Sequence, residues 1–94
     1  MTEQYSRYDT ADYLHTQEDM TLYFEACLEE NDPALITQAL GVIARARGMT
    51  QLAKDTGLSR ESLYKALSTE GNPEFATILK VTKALGIRLH AEMV

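Results

Sequence analysis

Residues 50–67 read TQLAKDTGLSRESLYKAL, and this stretch decides how the chain is expected to fold. Gly57 lies between two short helical patterns, where a tight turn needs a residue that tolerates positive φ, and glycine does so without a Cβ penalty. Ser59 is expected to cap the second helix, because a serine hydroxyl accepts a backbone N–H from the first helical turn. The positions expected to face inward are small or apolar: Ala53, Leu58, Leu63 and Ala66. The stretch therefore predicts a helix-turn-helix.

The outer face of the second helix carries side chains that suit contact with DNA. Arginine can form two parallel hydrogen bonds with guanine, so Arg60 is the first candidate for reading a base. Arg60 is also able to hold a phosphate, or to pair with Glu61 or Glu70 on the surface. The alternative role of Ser59 is that of a cap alone, and Tyr64 can instead pack at the edge of the core. The predicted DNA-binding residues are Gln51, Ser59, Arg60, Ser62, Tyr64, Lys65, Arg45 and Arg47.

Two further helices are expected before this motif, from apolar residues repeated at intervals of three and four. The first follows Thr16, where the four residues TQED approximate a capping box. The second begins near Pro33, which suits a first-turn position, and ends near Gly48. Arg45 and Arg47 lie in its last turn, where a cation also interacts favourably with the helix dipole, so a phosphate contact is only one of their two expected roles.

A last helix is expected after the motif, and it completes an all-α domain of five helices. Asn72 and Pro73 are the predicted cap and first helical residue, and Gly86 is the predicted terminator. The predicted inward face consists of Phe75, Ile78, Leu79, Thr82 and Leu85.

The period of the apolar residues changes from 3.6 to 2 after Gly86, which predicts a short C-terminal β-strand within residues 87–94. A lone strand leaves backbone donors and acceptors unpaired, so it needs the N-terminal segment, a second copy or another protein as its partner. We favour a second copy, which predicts a homodimer formed by β-pairing across a two-fold axis. The predicted dimerisation residues are Ile87, Leu89, Ala91 and Met93.

Charge is divided unevenly along the chain, whose net charge is −5. Residues 1–32 hold nine acids and one base, giving −8, whereas residues 33–94 hold eight bases and five acids, giving +3. Phosphate binding depends on local rather than overall charge, so the second part of the chain is compatible with DNA binding. Because +3 is modest, tight binding is expected only from a pair of copies, whose two half-sites raise the affinity.

Composition argues against an enzyme and against a membrane protein. The 94 residues make one small domain, and no apolar run approaches the roughly 20 residues of a membrane span. Cys27 is the only cysteine and lies on the apolar face of its helix, which indicates a small buried filler. His15 and His90 belong to no metal-ligand cluster in the sequence. We therefore expect no catalytic residue, no cofactor and no metal, and a cytoplasmic location without a signal peptide.

The stretches SRESLYKAL, EGNP and FATILK, in this order and spacing, closely resemble the addiction-module antidote proteins, which are HigA-like antitoxins with a phage-repressor-type helix-turn-helix. The resemblance is strongest over residues 41–90 and extends more loosely to YDTADYL and the acidic helix after it. It implies a lambda-repressor-like domain that binds operator DNA, represses its own operon, and binds and inhibits a RelE/ParE-like toxin. The chain departs from many such motifs at Gln51, which runs directly into Leu52 and Ala53 instead of being separated from that pair by two residues.

Taken together, these patterns predict three parts in the chain. Residues 1–32 form an acidic segment and helix packed on the domain, either as a toxin-contacting region for a basic toxin or as a solvated acidic face, and the tyrosines at 5, 8 and 13 are expected to cover the core. Residues 33–86 form the DNA-binding domain, and residues 87–94 the dimerisation element. Two alternatives remain open: a phage-type transcriptional repressor without a toxin partner, and a protein-interaction module that does not bind DNA.

Overall fold

The computed structural model describes residues 10–68 and 70–94, and within them the chain forms five α-helices after one short 3-10 turn. The turn is Thr10–Tyr13, and the helices are α1 (Gln17–Leu28), α2 (Pro33–Arg47), α3 (Met49–Thr56), α4 (Arg60–Ala66) and α5 (Phe75–Leu85). The prediction of an all-α domain with five helices is confirmed. None of these helices is both long enough and apolar enough to cross a membrane.

The first two helices begin where their capping residues predict. The hydroxyl of Thr16 accepts the backbone N–H of Asp19 at 3.0 Å, and the Asp19 carboxylate accepts the N–H groups of His15 and Thr16 at 3.0 and 3.2 Å. These backbone bonds, that of His15 first, lower the pKa of the Asp19 carboxyl below its ordinary value, because they favour the charged form. Asp32 caps α2 through the N–H of Ala34, one residue after Pro33. Local hydrogen bonds therefore determine both helix starts.

The core lies around α2, which packs against α1, α3 and α5. The largest fully buried side chains are Leu40, Ile43, Leu63 and Val81, contributed by α2, α4 and α5. From α1, Phe24 and Cys27 join the same cluster, and Cys27 is the small buried filler that its position predicts. Of the tyrosines expected to cover this core, Tyr5 and Tyr8 lie outside the described residues. The expectation is wrong for Tyr13, whose side chain is 61% exposed while Leu14 beside it is buried.

Gly41 allows the end of α4 to approach α2 closely. A Cβ built on Gly41 would lie 2.7 Å from the backbone carbonyl oxygen of Leu67, the residue that caps α4. We expect Gly41→Val to lower the free energy of unfolding by about 1–3 kcal/mol, because a backbone atom cannot move aside without shifting α4. Urea denaturation followed by circular dichroism measures this, with Gln38→Val on the exposed side of α2 as the control, expected to cost about 0.5 kcal/mol. Equal losses in the two variants would contradict the role of Gly41.

The last helix differs from its prediction in start and orientation. It begins at Phe75, after the N-cap residue Glu74, rather than at Pro73. Gly71 lies so close to the Ala66 carbonyl that a Cβ there would collide with it, so the chain is still crossing the end of α4 at this point. The predicted inward face is partly wrong: Phe75 and Leu79 are 66% and 44% exposed, whereas Val81, Thr82 and Leu85 are buried. Gly86 ends the helix in a left-handed conformation, as predicted.

The predicted C-terminal strand is wrong for the single chain, because residues 87–94 form neither a helix nor a strand. The N–H of Ile87 donates to the Thr82 carbonyl at 2.9 Å and so completes the end of α5. A strand is maintained by a ladder of hydrogen bonds to a neighbour, and no segment among the described residues pairs with this one. Ile87 instead packs against the core, and Met93 is 96% exposed. The dimerisation role of Ile87, Leu89, Ala91 and Met93 stays a prediction.

Candidate nucleic-acid interface

The connection between α3 and α4 is closed by local hydrogen bonds. Gly57 adopts a left-handed conformation with φ of 77°, and its N–H donates to the Ala53 carbonyl at 2.9 Å. The hydroxyl of Thr56 donates to the Leu52 carbonyl at 2.8 Å and accepts the N–H of Leu58 at 3.3 Å. Because a residue with a Cβ disfavours this φ, the glycine is what permits so short a turn. The tight turn that the sequence predicts is therefore present.

The inner side of α4 is anchored and its first turn is capped. The Ser59 hydroxyl oxygen accepts the N–H of Ser62 at 3.0 Å, and the two hydroxyl oxygens lie 2.9 Å apart. The capping role predicted for Ser59 is confirmed. Leu63 is completely buried and Leu67 is 5% exposed, so both hold the helix against the core. This arrangement fixes which side of α4 faces solvent.

The outer side of α4 is polar and exposed along its whole length. The exposed residues are Arg60, Glu61, Ser62, Tyr64 and Lys65. The Arg60 guanidinium carbon lies 5.8 Å from the centroid of the Tyr64 ring, which is within cation–π range. Since Tyr64 is 47% exposed, this contact supports the arginine at the surface rather than withdrawing it into the core. The face presents two cations, one carboxylate and several hydrogen-bonding groups.

Clefts on both sides of α4 bring other polar side chains to this face. Arg45 and Tyr64 line one cleft of about 370 Å³, where α2 meets α4. Gln38 and Ser68, which are not among the predicted DNA-binding residues, line the same cleft. Gln38 precedes Arg45 by seven residues, and this spacing, which places both on one side of α2, is the signal that would have found it. The second cleft, of about 450 Å³, is lined by residues that include Ser62, Lys65, Asn72 and Pro73.

Two of the predicted DNA-binding residues lie elsewhere. Arg47 donates from its guanidinium to the carbonyl of Leu85 at 2.8 Å, at the end of α5. The side-chain amide of Gln51 donates to the Asp55 carboxylate at 2.9 Å, one turn along α3. Arg47 and Gln51 line a small cavity together with the end of α5, apart from the two clefts beside α4. The structure therefore brings together Ser59, Arg60, Ser62, Tyr64, Lys65 and Arg45, and separates Arg47 and Gln51 from them.

Comparison with known proteins gives the family. A family model described as "Probable addiction module antidote protein" matches residues 4–93, which is nearly the whole chain. The chain belongs to this family. A protein of Haemophilus influenzae with the name "Uncharacterized protein" is 51% identical to it over 92 residues, covering 98% of this chain and 95% of that protein. No solved structure matches the chain. The resemblance to the addiction-module antidote family, inferred from residues 41–90, is thus confirmed at the level of the family.

Proposed function

We propose that the chain is the antitoxin of a type II toxin–antitoxin module, which binds a RelE/ParE-like toxin and represses its own operon by binding operator DNA. The observation that carries the DNA-binding part is the surface of α4. Its inner side is anchored by Leu63, while its outer side is exposed and polar. The antidote family supports the toxin-binding part.

In the proposed DNA complex, α4 lies in the major groove. Arg60 is suited to guanine, whose O6 and N7 accept two hydrogen bonds from one guanidinium. Lys65 and Arg45, on the two sides of α4, are suited to the phosphates that border the groove. Ser62 adds a hydroxyl, although part of its capacity is used by Ser59. Arg47 and Gln51 contribute less, because both lie apart from the two clefts beside α4.

A second copy is needed for operator binding of useful strength. One α4 presents a small basic surface on a chain whose net charge is −5. Two copies related by a two-fold axis place their helices in successive major grooves of a palindrome, and the second contact benefits from a high effective concentration. Repression then results from the dimer occupying the promoter.

Arg60→Ala tests the base contact. We expect the variant to bind the upstream DNA of its operon about 1–3 kcal/mol more weakly and to lose preference at one base pair of each half-site. Fluorescence anisotropy with the native duplex and a set of single-base variants measures both effects. The control is Lys80→Ala, which removes one positive charge from the exposed side of α5 and is expected to retain affinity and preference. Unchanged affinity and preference in the Arg60 variant would remove the base-reading role.

Co-expression with the product of the adjacent reading frame tests the antitoxin role. We expect the two proteins to co-purify, and growth inhibited by that product to recover when this chain is present. If the chain binds its upstream DNA but neither binds nor neutralises the neighbouring product, the phage-type repressor without a toxin partner is the better description. If it binds the product but no DNA, it is a protein-interaction module, which the acidic overall charge favours.

A further inference from the structure

A groove runs between α1 and the C-terminal segment, on a part of the molecule that contains none of the predicted DNA-binding residues. It has a volume of about 760 Å³, within the range of pockets that bury a ligand or a set of anchoring side chains. Its apolar lining comes from Phe24 and Leu28 of α1 and from Ile87 and Leu89 of the C-terminal segment. Leu28 and Leu89 are each 38% exposed, so the groove presents apolar surface to solvent.

We infer that this groove is where the toxin docks, and that the docked element is a basic amphipathic helix. The inference rests on the proposed function, since it names the surface and the kind of structure that the antitoxin recognises. It also accounts for the apolar residues at 87 and 89, which line the groove in the single chain instead of pairing as a strand.

The charge of the groove selects a basic occupant. Glu25, Glu29 and Glu92 line it together with Arg88 and His90. The Nε2 of His90 lies 3.7 Å from the Glu92 carboxylate, so Glu25 and Glu29 contribute most of the acidic edge. A second copy docked through the same groove would bring these carboxylates toward their own counterparts, and an anionic membrane or nucleic acid would be repelled. A helix with lysines or arginines beside its apolar stripe satisfies both the apolar lining and the acidic edge.

The shape of the groove favours a helix over an extended strand. Its α1 wall extends from Thr21 to Glu29, about two helical turns or roughly 12 Å. Thr21, Glu25 and Leu28 are exposed and follow one another at intervals of four and three, beside the buried Phe24, so α1 offers a ridge on which a second helix packs. Recognition by a groove of this kind uses anchors at i, i+3 or i+4, and i+7 of the docked helix.

Neighbouring glutamates provide a matched test. Glu29 lines the groove, whereas its neighbour Glu30 is exposed and does not. Glu29→Lys and Glu30→Lys change the net charge equally, so any difference between them reports the groove itself. We expect Glu29→Lys to weaken binding to the purified product of the adjacent reading frame by about tenfold or more, and Glu30→Lys to have little effect. Leu89→Asp and Phe75→Asp form a second matched pair. Both replace an exposed apolar side chain with a carboxylate, but only Leu89 lines the groove. Calorimetric titration measures the affinities, and circular dichroism confirms that each variant is folded.

Synthetic peptides test the helical form of the occupant. Three fluorescein-labelled peptides of about four helical turns are used: one with leucines at helical spacing among lysines, one with the same composition in strict alternation, and one with the lysines replaced by glutamates. We expect the full chain to bind the first most tightly and the acidic peptide not at all, and Glu29→Lys to weaken the first. Preference for the alternating peptide would overturn the helical form of the occupant.

The outcomes separate this inference from the proposed function. If the native chain does not bind the adjacent gene product, the antitoxin role fails. The peptide titration still tests whether the groove binds a basic amphipathic helix. If the native chain binds that product and both groove variants match their controls, the groove is not the docking site although the antitoxin role stands. A shift of the monomer–dimer equilibrium by Glu29→Lys in sedimentation would assign the groove to a second copy and overturn the inference. Binding of upstream DNA is expected to be unchanged in Glu29→Lys.

Discussion

Replacing Leu63 with alanine is expected to lower the free energy of unfolding by about 2–5 kcal/mol. Leu63 has no solvent exposure and belongs to the cluster that holds α4 against the rest of the core. Truncation removes buried apolar atoms and leaves a cavity, because neighbouring side chains relax only partly. Since domains of this size have total stabilities of about 5–15 kcal/mol, the loss is a large fraction of the whole. Urea denaturation measured by circular dichroism gives the difference, and the thermal midpoint is expected to fall by roughly 8 °C or more.

The comparison variant is Leu22→Ala, which removes the same atoms from a side chain on α1 that is 59% exposed. Its expected effect is within about 0.5 kcal/mol, because most of the side chain is in solvent and its truncation leaves no cavity in the core. If the two alanine variants were equally stable, Leu63 would not be the anchor of α4. A further consequence is that Leu63→Ala should weaken DNA binding at temperatures where Leu22→Ala does not.

The part of the fold that could be predicted best is the region from α3 to α4, because its signals are local. The positive φ of Gly57 and the hydroxyl of Ser59 act within a few residues, and both have the roles that their types predict. Leu63 faces inward as its spacing indicates. The same holds for the cap at Thr16, where reciprocal hydrogen bonds to Asp19 span only three residues.

Predictions that depended on distant neighbours were less accurate. Alternation after Gly86 indicates which residues are apolar, but a strand also needs a neighbouring segment with free backbone groups, and sequence spacing does not report one. In α5, Ile78, Thr82 and Leu85 share a helix face with Phe75 on one side and with Val81 on the other. The spacing alone is therefore compatible with burial of either Phe75 or Val81. The packing of α2 and α3 against α5 decides that Val81 is buried and Phe75 exposed.

The candidate interface shows the same division. The exposed residues of α4 could be predicted because one helix face determines them. The position of Arg47 could not, since its guanidinium binds the carbonyl of Leu85, which is 38 residues away in the chain. Arg45, two residues earlier, lines the cleft beside Tyr64 instead. Two arginines in the same helical turn thus differ because of which helices pack on the two sides of α2.

The proposed operator complex is expected to lose about a hundredfold in affinity between roughly 50 and 200 mM salt. Arg45 and Lys65 are the cations that the structure places at or beside α4 and that are proposed to hold phosphates, so two copies bring about four of them to the DNA backbone. Each phosphate that is neutralised releases counterions, and the logarithm of the association constant falls by about 0.9 per contact for each logarithmic unit of salt. Fluorescence anisotropy over this range gives the slope of the logarithm of the association constant against the logarithm of the salt concentration.

Lys65→Gln tests whether the salt dependence of DNA binding comes from the local charge beside α4 or from the overall charge of the chain. Removing one phosphate contact per copy should reduce the slope by about 2, so that the same change of salt costs only about tenfold. Lys80→Gln removes an equal charge from the exposed side of α5, outside the clefts beside α4, and is expected to leave the slope unchanged. Equal slopes for the two variants would mean that overall charge, rather than the surface of α4, controls binding. A native slope near zero would indicate that the chain neutralises no phosphates, in which case the polar face of α4 serves contact with protein instead of DNA.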